Sequence, residues 1–561
     1  MRAGDLAAAA ALAVAPFAAS FAPTRAAAEL KLGPNAGAYL EGFEPRYEIE
    51  GLLATRWAGK DAAVALPLVA SGPIEVSFRA ARVLRSAEIA VEMGGRVLDR
   101  FEARGGVFFV RRAGLDAPAG TPVRVRFVTT SEEEGPRGLR FDWIRIAPGP
   151  GGRLRPETAR LAAAALLLAS LFALFRWAGH GTQAAGLLVL PAALAALAAI
   201  HLDPLAFAHV VGRLSLPGLA LLTPATLLLR RQPGGRWALA ALALAFLGRG
   251  APLVHPASYY PDFGNARRFI VALGETEGSL AERAVAAQEK TNVGYPRIVA
   301  GKAYAFPYSP LFFLPSLWPR EPDRIESLYR LAGLVPASLE VLGIFLIARL
   351  AFPRSTLVPA VAPLLAAFLP PLMSRLLLAM TVTLWGHLAD VLLVAATLAY
   401  FIRPVLGRLA LVFVAALLSQ LLYVSSLFTV AAFLLAAAAV ERKHAWRLLL
   451  VLGASSAITV LWLYHPFLRA FFGEILPAVA GGARMEGSVG TRGGLALTLS
   501  RIPLFYGWAW PLLSLAGLAL ARARGERVAA AALTAYALAF ALLAALRGLG
   551  GGLFRDLKEI E

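Results

Sequence analysis

The feature that most constrains this chain is the recurrence, along most of its length, of uninterrupted apolar stretches of about 17 to 25 residues. The segment "LAAAALLLASLFALFRW", residues 161–177, is typical. As a helix, such a stretch crosses roughly 30 Å of hydrocarbon while satisfying every backbone N–H and C=O internally. A soluble core of ordinary proportions has no room for so many: 58% of the 561 residues are hydrophobic, 16% are charged, and the mean hydropathy is +0.63. The chain therefore reads as a polytopic α-helical membrane protein. Further runs centre near residues 192, 219, 244, 341, 365, 392, 413, 432, 455, 512 and 536. With 161–177 and the N-terminal run they give about 12 to 13 transmembrane helices, the pair near 413 and 432 standing as two helices or as one long, broken one.

A formal charge of +19 raises the question of nucleic acid. The basic residues, however, fall in short clusters between apolar runs: "RRQPGGR" at 230–236, "ERKHAWR" at 441–447 and "ARARGER" at 521–527. That placement is the signature of cytoplasmic loops facing anionic lipid, so membrane lipids are expected as partners and nucleic acid is not. With these clusters, Arg176, Arg349–Arg354 and Arg403–Arg408 on one side, two long segments fall on the other, at about 250–328 and 465–500. Cysteine is absent, which excludes disulfides, thiolate metal sites and cysteine nucleophiles. There is no Walker loop, H-E-x-x-H or G-x-S-x-G.

Residues 1–28 combine a short basic end, an apolar run and small residues near Ala28, which fits a cleaved signal peptide or an uncleaved anchor helix equally. Residues 30–150 have a different texture. Short runs such as "PIEVSFRAARV", "AEIAVEMGG", "PVRVRFVTT" and "LRFDWIRIAP" alternate with Gly, Pro and charged turns, predicting an extracytoplasmic all-β sandwich. It closes on "PGPGGRLRPE", read as a linker. Transmembrane helices follow over 157–254, a large outer loop over 255–328, more helices over 329–546 with a second outer loop at about 465–500, and a tail over 547–561.

The outer loop opens with "HPASYYPDFGNARRF", residues 255–269, where an acid, a histidine, two arginines and aromatics follow directly on an apolar run. At the membrane surface, the Asp262 carboxylate can take a proton from an attacking hydroxyl while Arg267 or Arg268 neutralises a phosphate. The same residues also read as an aromatic belt with an acid capping the next helix. "NARRFIVALGETEGSLAERAVAAQEK" is an amphipathic surface stretch of one or two helices. In "GKAYAFPYSPLFFLPSLWP", residues 301–319, Pro307, Pro310, Pro315 and Pro319 prevent a regular helix and predict a re-entrant or interfacial segment, with Lys302 as a phosphate partner and Tyr304, Tyr308 and Ser309 as groove-lining candidates. Within an apolar run, "LWGHLADVL" sets His387 and Asp390 three apart on one helix face, a site or a helix–helix hydrogen bond. In "YHPFLRAFFGE" the second loop offers His465, Arg469 and Glu474.

This order of features resembles the GT-C class of membrane glycosyltransferases over roughly residues 157–520: a multi-helix body, a large first outer loop opening on an acid just after a helix ("HPASYYPD"), an amphipathic helix, and a proline-aromatic segment ("YAFPYSPLFFLP"). The resemblance implies a polyprenyl-phosphate sugar donor and an acid, Asp262, acting at the acceptor. Several members carry two adjacent acids here, whereas Asp262 is followed by Phe263 and Gly264. "KLGPNAGAYLEGFEP", "TRWAGKDAAVALPL" and "FDWIRI" are similar to jelly-roll, carbohydrate-binding-like modules, which implies Trp57 and Trp143 as candidate sugar platforms or core residues.

The expectation is thus a glycosyltransferase of a bacterial-type inner membrane that moves a sugar from a polyprenyl-phosphate donor to a glycan, lipid or protein acceptor on the extracytoplasmic face. His255, Tyr304, Tyr308, His387, Asp390, His465 and Arg469 join Arg267, Arg268 and Lys302 as substrate-binding candidates. No cofactor is required, no metal ligand is assigned, and a divalent cation is optional. The alternatives are a polytopic lipid or polysaccharide transporter and a non-enzymatic scaffold with a glycan-binding module.

Overall fold

The structure is a computed structural model that describes residues 3–22, 26–50, 53–81, 86–130, 137–256, 258, 263–291, 297–299, 302–304, 309–317, 322–481, 485–486, 509–523 and 525–549. The chain divides into two compact units, Met1–Tyr260 with Glu321–Ser327, and Pro261–Arg320 with Leu328–Glu561.

The first unit joins an antiparallel β module to five apolar helices. Helix α1 (Ala3–Ser20) leads into β1 (Ala28–Lys31), β2 (Leu40–Glu50), β3 (Leu53–Ala81), β4 (Ala87–Met93), β5 (Arg96–Ala103), β6 (Phe108–Thr130), β7 (Arg137–Pro148) and β8 (Arg153–Pro156). The strands are hydrogen-bonded in the order β1-β7-β3-β6-β4-β5, with β2 and β8 also on β3. At 29 residues β3 outruns any single partner, so its register shifts between Ala65 and Val69 allow it to serve β2, β6, β7 and β8 in turn. Alternation sends one face inward: in β4, Ala87, Ile89, Val91 and Met93 are buried. A cluster of Phe78, Phe127 and Phe141 lies at the centre, the last two with ring centroids 4.6 Å apart.

The stretch expected as a linker is largely sheet. Gly151 turns the chain at φ 79°, and β8 then pairs Arg153–Pro156 with Ser71–Leu68 of β3, burying Leu154. The Glu157 N–H donates to the Pro67 carbonyl, so α2 (Thr158–Trp177) begins directly on the sheet. Helices α3 (Thr182–Leu202), α4 (Pro204–Leu229) and α5 (Gly235–Val254) follow. Asp203 caps α4 by accepting from the Ala206 N–H at 2.9 Å, Leu205 enters the hydrophobic core of the β module, and the Tyr39 hydroxyl pairs with His209 Nδ1. Burial pushes the Tyr39 phenol up to about 12.

Twenty residues of α2 carry the chain about 30 Å from the module to Arg176. At that far end, Arg176 meets the Asp5 carboxylate of α1 at 2.8 Å, and the Thr182 hydroxyl donates to the same carboxylate at 2.6 Å. The basic end of this helix bundle is therefore opposite the β module.

The second unit begins with α6 (Phe263–Glu275) and α7 (Leu280–Thr291), then β9 (Arg297–Val299), β10 (Lys302–Tyr304) and a 3-10 turn (Pro310–Leu317). Most of α8 (Pro322–Ala351) belongs to it, as do α9 (Leu357–Ala367), α10 (Pro370–Leu377), α11 (Thr381–Ile402), α12 (Leu406–Leu422), α13 (Ser426–Val440) and α14 (Ala445–Thr459). The run near 413 and 432 is two helices, separated at Tyr423–Ser425. Beyond α14, π-helical turns at Val460–Tyr464 and Phe471–Ile475 flank a short helix, His465–Ala470. Met485–Glu486 (β11) and helices Ala509–Ala523 and Arg527–Leu549 complete it. Leu393, Tyr400, Val412, Val430, Leu434 and Leu448 form its main core with Ala535.

Among the described residues, eight helices are long and apolar enough to cross a membrane: α1 to α5, Ile325–Ala351 within α8, α11, and Arg442–Ala478 through α14. Four shorter apolar helices accompany them.

Candidate functional site

The two segments expected as outer loops meet within the second unit. β9 pairs with β10 through Ile298 and Ala303, and β11, 186 to 188 residues further on, pairs with the other edge of β9 through Met485↔Val299 and Glu486↔Ile298. This places Lys302 and Tyr304 beside Glu474: Lys302 Nζ donates to Glu474 Oε2, and the Tyr304 hydroxyl donates to the same oxygen at 2.8 Å. Those bonds raise Lys302 and Tyr304 above their ordinary ranges, since the carboxylate stabilises the ammonium and the phenolic proton. All three side chains keep contact with solvent, so the triad is a solvated cation–acid–phenol group open to exchange its partners.

Helix α7 packs against the short helix His465–Ala470 that precedes Glu474, and α6 packs on α7. Helix α6 buries Phe263, Ala266, Phe269, Ile270 and Leu273 along one stripe, against Phe313 of the 3-10 turn and Tyr329 of α8. Arg267 is half-buried at the edge of that stripe, and Arg268 is exposed, donating to Asn265 Oδ1 at 2.5 Å. Arg283 of α7 closes α6 by donating to the Leu273 carbonyl at 2.5 and 3.1 Å. A capping box starts α7: Ser279 Oγ accepts from the Glu282 N–H, and Glu282 Oε2 accepts from the Ser279 N–H at 2.9 Å. Those Ser279 bonds, with the Arg469 charge nearby, hold the Glu282 carboxyl below its usual range. The short helix carrying His465 and Arg469 thus faces α7 of the first loop.

His465 and Arg469 are exposed between the two π turns. Pro466 removes an N–H from the ladder, which favours the wider turn before it, and π turns recur where a helix is opened for function. Ser309, expected to line a groove, is buried instead, its hydroxyl donating to the Leu421 carbonyl at the end of α12. Leu311 packs with Leu421, Val424, Leu463 and Tyr464, so the proline-aromatic segment is anchored where α12 and α14 end.

Deeper along the same helix ends lies a polar cluster. Asp390 accepts from the hydroxyls of Ser419 on α12 and Thr429 on α13, the latter at 3.1 Å. Gln420 donates to Ser456 at 3.0 Å and accepts from Thr459 at 3.3 Å, both on α14. Arg375 of α10 donates to His387 Nε2. It is aimed there by a Schellman turn in which the Ala379 N–H donates to Leu376 and the Met380 N–H to Arg375, with Ala379 at φ 64°. His387 and Asp390 therefore share a helix face but engage different neighbouring helices. Arg375, Ser419, Gln420 and Thr429 escaped the sequence reading; a polar residue within an apolar run was the available signal.

Asp262 and Tyr308 lie outside the described residues, and α6 starts at Phe263. His255 caps the end of α5 in the first unit, 3.5 Å from the Asp203 carboxylate. Trp57 is 6% exposed, with its N–H on Glu48 at 3.4 Å and Arg137 over its ring, so burial removes it as a sugar platform; Trp143 is half-buried. Among the described residues no group of three or more His, Cys, Asp or Glu side chains is placed to hold a metal ion.

No known protein family matches the chain, and no curated protein does. Among solved structures, the N-terminal β module resembles carbohydrate-binding modules. The C-terminal CBM6 of LamC, a laminarinase from Zobellia galactanivorans, is 16% identical over 22% of this chain and 98% of that one, with a TM-score of 0.18. The module CBM6cm-2 of Cellvibrio mixtus lichenase 5A, solved in complex with cellotriose, is 14% identical over the same shares, with a TM-score of 0.17. Likeness at these TM-scores carries no argument about ligand.

Proposed function

We propose that this protein is a GT-C-like membrane glycosyltransferase that moves a sugar from a polyprenyl phosphate to a hydroxyl acceptor on the extracytoplasmic face. The observation that carries the reading is the convergence of the two loops: Lys302 and Tyr304 of one meet Glu474 of the other. A solvated patch of exchangeable cations at the ends of membrane-length helices suits a lipid-borne phosphate whose sugar must meet a water-borne acceptor.

In the proposed reaction the acceptor oxygen attacks the anomeric carbon, the bond from that carbon to the phosphate oxygen breaks, and polyprenyl phosphate leaves. The acceptor proton passes to the Asp262 carboxylate. Arg267, Arg268 and Lys302 are assigned to the phosphate, Arg268 exchanging Asn265 and Lys302 exchanging Glu474 for it. Tyr304, Tyr308, His465 and Arg469 are assigned to the sugar and acceptor. The leaving group needs no nucleotide or redox cofactor.

A transporter of lipid or polysaccharide is the second reading, favoured by the intramembrane cluster of Asp390, Ser419, Thr429, Gln420 and the His387–Arg375 pair, since such groups commonly line a pathway. The test is sugar transfer by purified protein in lipid from a panel of labelled polyprenyl-phosphate sugars, with lipid extract as acceptor. The expected result is transfer by the wild type and a loss of about 100-fold or more in Asp262→Asn, the range for a positioned acid–base group. Equal rates would remove Asp262 from the mechanism.

A further inference from the structure

The first unit contains a cavity of about 580 Å³ lined by Asp5, Ser170, Ala173, Leu174, Arg176, Trp177, Leu219 and Thr223. Its walls come from α1, α2 and α4 at the basic end of the bundle. We propose that it holds an anionic glycerophospholipid, with the phosphate at the Arg176–Arg230 mouth and one acyl chain along the Leu174–Leu219 wall.

Three observations support this assignment. First, the mouth is cationic. Arg230 stands over the Trp177 ring at 5.0 Å, and its Nε is buried without a hydrogen-bond partner among the described residues. Trp177 lines the cavity, so the Arg230 guanidinium stacked on it lies beside the mouth, where its charge can pair with a phosphate oxygen. Arg176 is held by both oxygens of Asp5 and donates to the His180 carbonyl, so the surplus positive charge lies on Arg230. Second, the wall mixes hydroxyls with apolar side chains. Ser170 and Thr223 each lie seven residues before the aromatic or cationic residue of the mouth, Trp177 and Arg230, which puts them about 10 Å deeper. Ala173, Leu174 and Leu219 give the wall an apolar surface for an acyl chain. Third, Trp177 is 43% exposed, as an indole at headgroup depth would be. Basic pockets between helices on the positively charged side are a recurrent form of anionic-lipid site.

The experiment is native mass spectrometry of the full-length protein released from bilayers of equal phosphatidylglycerol and phosphatidylcholine. Wild type is expected to retain phosphatidylglycerol in preference by about fivefold or more, the effect of one well-placed cation. Arg230→Gln should remove most of that preference, and Arg230→Lys should keep part of it. Arg231→Gln, altering an exposed neighbour in the same loop, should leave it unchanged. Thermal unfolding of each variant in phosphatidylcholine establishes that it is folded. Equal retention of both lipids overturns the proposal, as does a loss in Arg231→Gln matching that in Arg230→Gln, which would mean diffuse attraction to the basic loop. Displacement by millimolar inorganic phosphate, or retention of polyprenyl phosphate in place of phosphatidylglycerol, overturns the glycerophospholipid as occupant.

Discussion

The two units use buried polar groups in opposite ways. In the first, they sit at the ends of helices and fasten pieces together: Asp5 to Arg176 and Thr182 at one end, Tyr39 to His209 at the other. In the second, Asp390, Gln420 and His387 sit within membrane-length or shorter apolar helices, and their partners are hydroxyls, an amide and a guanidinium on neighbouring helices. The difference teaches where to look for chemistry. End-placed pairs stabilise a platform, whereas polar groups inside an apolar layer carry a solvation cost that a purely structural helix avoids.

Breaking the comparison most severely would be Arg176→Leu. It leaves the Asp5 carboxylate, 1% exposed, without its cation, and a loss of about 3 to 5 kcal/mol is expected in denaturant unfolding, reported by the first unit. A loss near zero would mean that the pair fastens nothing. In the second unit, Ser419→Ala removes one of two hydroxyls from Asp390, and the expected cost is smaller, about 0.6 to 2 kcal/mol, as for other interhelical hydrogen bonds in membranes. A larger loss there than for Arg176→Leu would reverse the assignment of platform and reactive unit.

A further test of the first unit uses alkaline pH. Burial raises Tyr39 from 10.0 to about 12, so the folded state favours the neutral phenol. Its contribution is fully present below pH 10 and is lost as pH rises from 10 through about 12. Phenolate absorbance in the native protein should include a late step near pH 12 that Tyr39→Phe removes. Titration of all tyrosines near pH 10 would show that Tyr39 is not held against α4.

An antiparallel sheet followed by a mostly helical region was legible because each rests on a local period: two residues for β4, and long apolar runs for the helices. The strand β8 was not. Four residues amid Gly and Pro carry too little alternation to separate a strand from a linker, and only the pairing with β3, some 85 residues earlier, makes one. The site was legible as residue types and not as partnerships. Lys302 and Glu474 were both visible, yet their bond spans 172 positions, which no local pattern encodes. His387 and Asp390 were correctly placed on one face, while the helices they engage, α10, α12 and α13, follow from packing alone. Trp57 stood open between sugar platform and core residue because an aromatic in a sheet has the same sequence signature in either place, and its burial decides for the core.

The most direct measurement follows sugar transfer and transbilayer passage together, in proteoliposomes of the wild-type protein supplied with a labelled polyprenyl-phosphate sugar and an acceptor. The account predicts a new glycosidic product with stoichiometric release of polyprenyl phosphate, formed without movement of the sugar lipid or the acceptor across the bilayer. Passage of either one, with the carbon–phosphate-oxygen bond of the donor left intact, would contradict it and make the Asp390 cluster the centre of a transport pathway.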